Sequence, residues 1–146
     1  MRQPAALPAV CLAMLGCAVA RAAAPALSAQ DAWVRATPGS DVAAAYLTLH
    51  NAGSVPVVVL GVRSPNAAEA MIHESTLVNG QSTMRPHEQL RVAGGATVHL
   101  APGGLHIMLH MLKQPLLPGD AVPLVLLLEG GATLEVTARV RPLGAE

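Results

Sequence analysis

The chain has 146 residues, with nine basic and nine acidic side chains and a formal net charge of zero. This length argues for one domain, and the charge balance argues against nucleic acid or an anionic membrane as partner. With no Phe, one Trp and one Tyr, any core must be built from Val, Leu, Ile and Ala.

The first element is a leader. Arg2 precedes the apolar run "AALPAVCLAMLGCAVA", and Ala20-Arg21-Ala22 places small residues at both key positions of a cleavage site, so residues 1–22 read as a secretory signal peptide. The run is too short to span a membrane comfortably. Processing as a lipoprotein at Cys17 is the rival reading, weakened by Met14 where leucine is usual. Cleavage after Ala22 leaves residues 23–146 as a single β domain outside the cytoplasm. It carries neither cysteine, because Cys11 and Cys17 both go with the leader. Neither a disulfide nor a thiolate site is then expected, although export leads to where disulfides form. Loss of Arg2 and Arg21 leaves seven basic residues against nine acidic, a net charge of −2.

The expected strands then follow in order. "SAQDAWVRA" comes first, and "VAAAYLTLHNA" alternates, with Leu47 and Leu49 on one face and Tyr46, Thr48 and His50 on the other. "VPVVVLGVRSP" precedes "EAMIHESTLV". Asn79-Gly80 is a two-residue hairpin signal, from which "QSTMRPHEQL" returns. "LRVAGG", "ATVHLAP", "LHIMLHMLK", "AVPLVLLLE" and "ATLEVTARVRP" complete the set, the last two joined by a turn over Glu129-Gly130-Gly131-Ala132. Short strands with turn signals every eight to twelve residues predict an all-β Greek-key sandwich or barrel.

One strand poses a question. In "GGLHIMLHML" the period-two alternation puts Leu105, Ile107, Leu109 and Met111 on a core face and His106, Met108 and His110 on the other. A two-residue loop at Asn79-Gly80 pairs Val78 with Gln81, Ser75 with Met84 and His73 with Pro86. His73 then lies diagonal to Met84 on one face, within reach of long side chains. Two His–Met pairs facing each other would make a His2Met2 site. Thioether sulfur selects Cu(I), and imidazole accepts it, whereas zinc prefers cysteine, histidine or carboxylate. All four donors are neutral, which suits an ion that must be held and exchanged. Taken singly, each has a plainer use: Met84 and Met108 as adaptable core fillers, His73 as a half-exposed strand residue, and His106 as a turn-end histidine beside Gly103-Gly104.

The spacing His73, ten residues, Met84, twenty-one residues, His106, one residue, Met108 resembles the signature of the periplasmic copper chaperones called PCu(A)C. "DAWVRATP", "AAAYLTLHN", "MRP", "PGGLHIML" and "LPGDAVPLVL" resemble the family as well, so the likeness covers nearly all of residues 29–142. The resemblance implies a cupredoxin-like Greek-key β-barrel or sandwich. It implies Cu(I) ligation by His73, Met84, His106 and Met108, and delivery toward the copper centre of cytochrome c oxidase. The acceptor would be the copper-bearing oxidase subunit or another periplasmic copper chaperone.

The remaining histidines read as ordinary surface groups: His99 points away from the core, His50 ends a strand, and His87 has the opposite parity from Met84. Trp33 and Tyr46 read as packing anchors with polar tips near the surface. His110 shares the ligand face but lies roughly 13 Å along the strand from His106, so it is expected beside the site, at most a transient ligand. Blue-copper electron transfer needs a cysteine thiolate and is excluded for the mature chain. No nucleophile–base pattern suggests an enzyme. Copper buffering or resistance without dedicated delivery, and a structural β-sandwich, are the alternatives.

Overall fold

The computed structural model describes residues 26–145. The expected leader and both cysteines lie outside the described residues. Ten strands follow one another: β1 Leu27–Ala36, β2 Ala43–Asn51, β3 Val57–Arg63, β4 Ala67–Val78, β5 Gln81–Pro86, β6 Leu90–Val92, β7 Thr97–Leu100, β8 Leu105–Leu112, β9 Ala121–Leu128 and β10 Thr133–Arg141. No helix occurs among the described residues. The all-β expectation holds, and each expected strand is present.

Hydrogen bonding runs through the order β5-β4-β8-β2-β1-β10-β9-β3-β6, with β7 paired to β2 off this path. One apolar face of this long sheet must be hidden from water, so the sheet curls over itself. Leu47, Leu49, Ile72, Ile107 and Leu109 from one half join Val59, Val92, Leu124 and Leu126 from the other in a single buried cluster. The result is a cupredoxin-like β-sandwich built on aliphatic side chains.

Two local features fix the region that matters. Asn79 and Gly80 both adopt positive φ, 51° and 78°, as a tight hairpin turn of this kind requires. The β4–β5 register follows as expected, with Val78 opposite Gln81, Ser75 opposite Met84 and His73 opposite Pro86. On its other side β4 pairs antiparallel with β8. Met71-Ile72-His73 thereby meets His106-Ile107-Met108 head to tail: Met71 opposes Met108, Ile72 opposes Ile107 and His73 opposes His106. Ile72 and Ile107 are buried, so the flanking histidines and methionines project from the opposite face of the sheet.

Candidate metal centre

The structure brings His73 and His106 together and places Met84 and Met108 on the same sheet face, not on an opposed surface. They lie side by side across one face of three neighbouring strands. His73 stands directly opposite His106, and their ring centroids are 6.0 Å apart. Two metal–nitrogen bonds of about 2 Å each, together with the two ring radii, also come to about 6 Å. Met108 follows His106 on the same face of β8. Met84 projects from β5, opposite Ser75 and diagonal to His73.

The two histidines differ in how they are held. His106 is 4% exposed, with its ring 6.4 Å from that of Tyr46. Its Nδ1 lies 2.9 Å from the carbonyl oxygen of Gly104. A carbonyl only accepts, so Nδ1 carries the proton and Nε2 keeps its lone pair for a ligand. The same carbonyl accepts from the Ser75 amide at 3.1 Å, which ties β4 to the turn before β8. Gly103, at φ +83°, shapes that turn, because this conformation is costly for any residue with a Cβ.

His73 has no such anchor. Both of its ring nitrogens are shut off from solvent and lack a hydrogen-bond partner, alone in this respect among the side-chain nitrogens and oxygens of the described residues. Buried Asn51, by contrast, donates to the Val55 and Val92 carbonyls and accepts from the Gly53 amide. An unpaired buried polar group is costly, so the arrangement at His73 fits a group that a ligand completes. Desolvation pushes the His73 pKa below its ordinary value; neighbouring His106 and His110 push it further down, and Glu69 partly opposes them. The same causes favour the neutral ring, the form that ligates a metal.

No group of three or more His, Cys, Asp or Glu side chains among the described residues is placed to hold a metal. The sulfur atoms on this face are thioethers, a donor type that favours a soft ion. Met84 is 50% exposed, Met108 is half-buried, and Met108 opposes the small Ala44 of β2.

Three further residues bear on the site. Met111, expected on the core face, is instead 55% exposed. Its φ of +52° breaks the alternation on which that expectation rested. Met71, not singled out from the sequence, is half-buried on the donor face opposite Met108; its position two residues before His73 was the signal. His110 opposes Glu69, four residues along the strand from His106 as expected, yet its ring centroid is 6.0 Å from that of His73. The other histidines stay apart from the cluster. His99 and His50 pair with the hydroxyls of Thr48 and Thr97 at 3.1 and 3.0 Å. His87 lies 3.9 Å from Glu74. Tyr46 accepts from Arg35 at 2.7 Å and stacks on Trp33 at 4.6 Å, as expected of packing anchors.

The sequence matches the LpqE-like family over residues 27–140. A relative, "Putative lipoprotein Lxx21020" of Leifsonia xyli subsp. xyli, is 38% identical over 142 residues, covering 91% of this chain and 85% of that protein. CuI-DR1885 from Deinococcus radiodurans is 32% identical with a TM-score of 0.63, over 81% of this chain and 78% of that one. The copper-bound PCuAC domain from PmoF2 has a TM-score of 0.67 at 22% identity, over 82% of this chain and 95% of that domain, a likeness of fold.

Proposed function

The chain belongs to the LpqE-like, PCuAC family, and from that premise we propose that it is an exported Cu(I) carrier whose ligands are His73, Met84, His106 and Met108. The observation that carries this reading is the unpartnered His73 ring facing His106, whose free Nε2 is oriented by Gly104. The Cu(I) form of the DR1885 protein supports the choice of ion. The protein passes its ion on rather than catalysing a reaction. The intended acceptor is the copper centre of cytochrome c oxidase or a second carrier on that route. Neutral donors suit this task, because they bind the ion without fixing it by charge.

Export fits the leader-like residues 1–22 and the lipoprotein name of the Leifsonia relative. Cleavage after Ala22 releases a periplasmic protein, whereas lipidation of Cys17 tethers the same domain to a membrane. Intact-mass measurement of the protein from whole cells separates the two.

The deciding experiment loads the protein with Cu(I) and mixes it with a soluble oxidase copper domain. X-ray absorption before mixing should show nitrogen and sulfur in the first shell, and the metal should then appear in the acceptor. A first shell without sulfur refutes the ligand set. Tight binding without transfer to the oxidase domain favours copper buffering.

A further inference from the structure

The antiparallel meeting of Met71-Ile72-His73 with His106-Ile107-Met108 places more soft donors on this face than one ion needs. Met71 opposes Met108 directly. The His110 ring is as far from His73, 6.0 Å, as the His106 ring is. His73 therefore sits between two imidazoles, each at a separation that two metal–nitrogen bonds of about 2 Å can bridge. No hydrogen bond fixes either nitrogen of His73, so nothing commits its ring to one side. His106, by contrast, is pinned through Nδ1.

We propose that His73, Met71, Met108 and His110 form a second Cu(I) station beside the first, so that the ion moves along β8 by exchanging His106 and Met84 for His110 and Met71 while His73 and Met108 stay bound. This rests on the Cu(I) reading above and extends it from a single site to a two-position track. No electron is transferred, and each step breaks one metal–ligand bond as another forms. The two stations differ in character. The first has only neutral donors, with His106 buried against Tyr46. The second lies toward Glu69, an exposed residue opposite His110 in the strand register, whose negative charge favours a cation on that side. Met71 and His110 are half-buried, so a docked acceptor can reach the ion there more readily than beside His106.

The test uses Cu(I) supplied from a chromophoric chelator. Wild type, His106→Ala, and His106→Ala combined with Met71→Leu and His110→Ala are compared by competition and X-ray absorption. The second station predicts that His106→Ala still takes up one Cu(I) with nitrogen and sulfur neighbours. The added substitutions should then weaken that binding at least tenfold. In wild type, substoichiometric Cu(I) should shift the Met71 ε-methyl NMR signal together with those of Met84 and Met108, a readout that requires no variant to fold. An unmoved Met71 methyl, a folded His106→Ala protein that takes up no Cu(I), or identical binding by the two variants overturns the second station while the first stands. A wild-type protein that takes up no Cu(I) sinks both readings.

Discussion

His73 and His106 face each other across β4 and β8 with ring centroids 6.0 Å apart, and only His106 is anchored, through Nδ1 to the Gly104 carbonyl. One imidazole is a fixed post and the other an uncommitted arm. That asymmetry governs how each part of the site should respond to change.

Removing the uncommitted arm should stabilise the metal-free fold. His73→Leu takes away a half-buried ring whose two nitrogens are closed to solvent and have no partners, and an unsatisfied buried group costs about 1–3 kcal/mol. The variant should melt above wild type in chelator and bind no Cu(I). A lower melting temperature would mean that the ring contributes packing which outweighs its unpaired nitrogens.

Acid should weaken the metal-free fold through the same residue. The His73 pKa is lowered on folding, so the unfolded chain holds the proton more tightly and binds more protons than the native one. Stability then falls as pH drops below the ordinary histidine value of about 6.5, and the fall ends once pH passes the lowered native value. Thermal melts of wild type and His73→Leu from neutral to mildly acidic pH should diverge less at low pH in the direction of wild-type gain if this sign is wrong; the expected result is a widening gap in favour of the variant.

The two methionines proposed as ligands should tolerate leucine in the fold but not in function. Met84 is largely exposed on β5 and Met108 half-buried on β8, and Met-to-Leu swaps usually cost less than about 1.5 kcal/mol. Each single variant should keep its circular dichroism spectrum and lose tenfold or more in Cu(I) affinity, about 1.4 kcal/mol. Loss of the fold along with the copper would make that methionine a packing residue.

Strain in the turn before β8 should reach the metal through Gly104. A Cβ on Gly103 meets nothing within 4 Å, so Gly103→Ala carries only the backbone penalty of its φ, about 1–2 kcal/mol. Tilting the Gly104 carbonyl should misorient His106, and disturbed outer partners typically lower metal affinity about 10–100-fold. Gly119→Ala, at φ +93° and equally open, is the control: similar destabilisation with unchanged Cu(I) affinity. Equal affinities in the two variants would remove the orienting role of Gly104.

Much of this was legible in the sequence because it is local. Asn79-Gly80 fixes its own turn, and the turn fixes the register that sets Met84 diagonal to His73. Alternation in "GGLHIMLHML" correctly separated Ile107 and Leu109 from His106, Met108 and His110. The adjacency of β4 and β8 was not legible, since twenty-six residues separate them and strand order depends on how the whole sheet curls. Hence the donors were expected on opposed surfaces when they share one. Met111 was misplaced for a different reason: a single left-handed residue at the end of β8 overrides the period of two. Distance along the strand from His106 likewise concealed the approach of His110 to His73, because side chains four residues apart can lean toward each other across a neighbouring strand.

The position of β5 at the end of the hydrogen-bonded path sets an order of loss for the proposed ligands. Among the described residues, Met84 rides on the one donor-bearing strand with a neighbour on a single side, while β4 and β8 are each held on both. Fraying begins at such edges, so a thioether can be withdrawn while both imidazoles stay in place. The coordination then opens from one flank instead of dissolving at once. An edge also presents unpaired amides and carbonyls to any strand that pairs with it, so an incoming protein that adds itself there would loosen the cargo by the act of binding. Hydrogen exchange should accordingly be faster along β5 than along β8 in the loaded protein, and equal protection of the two strands would contradict this order.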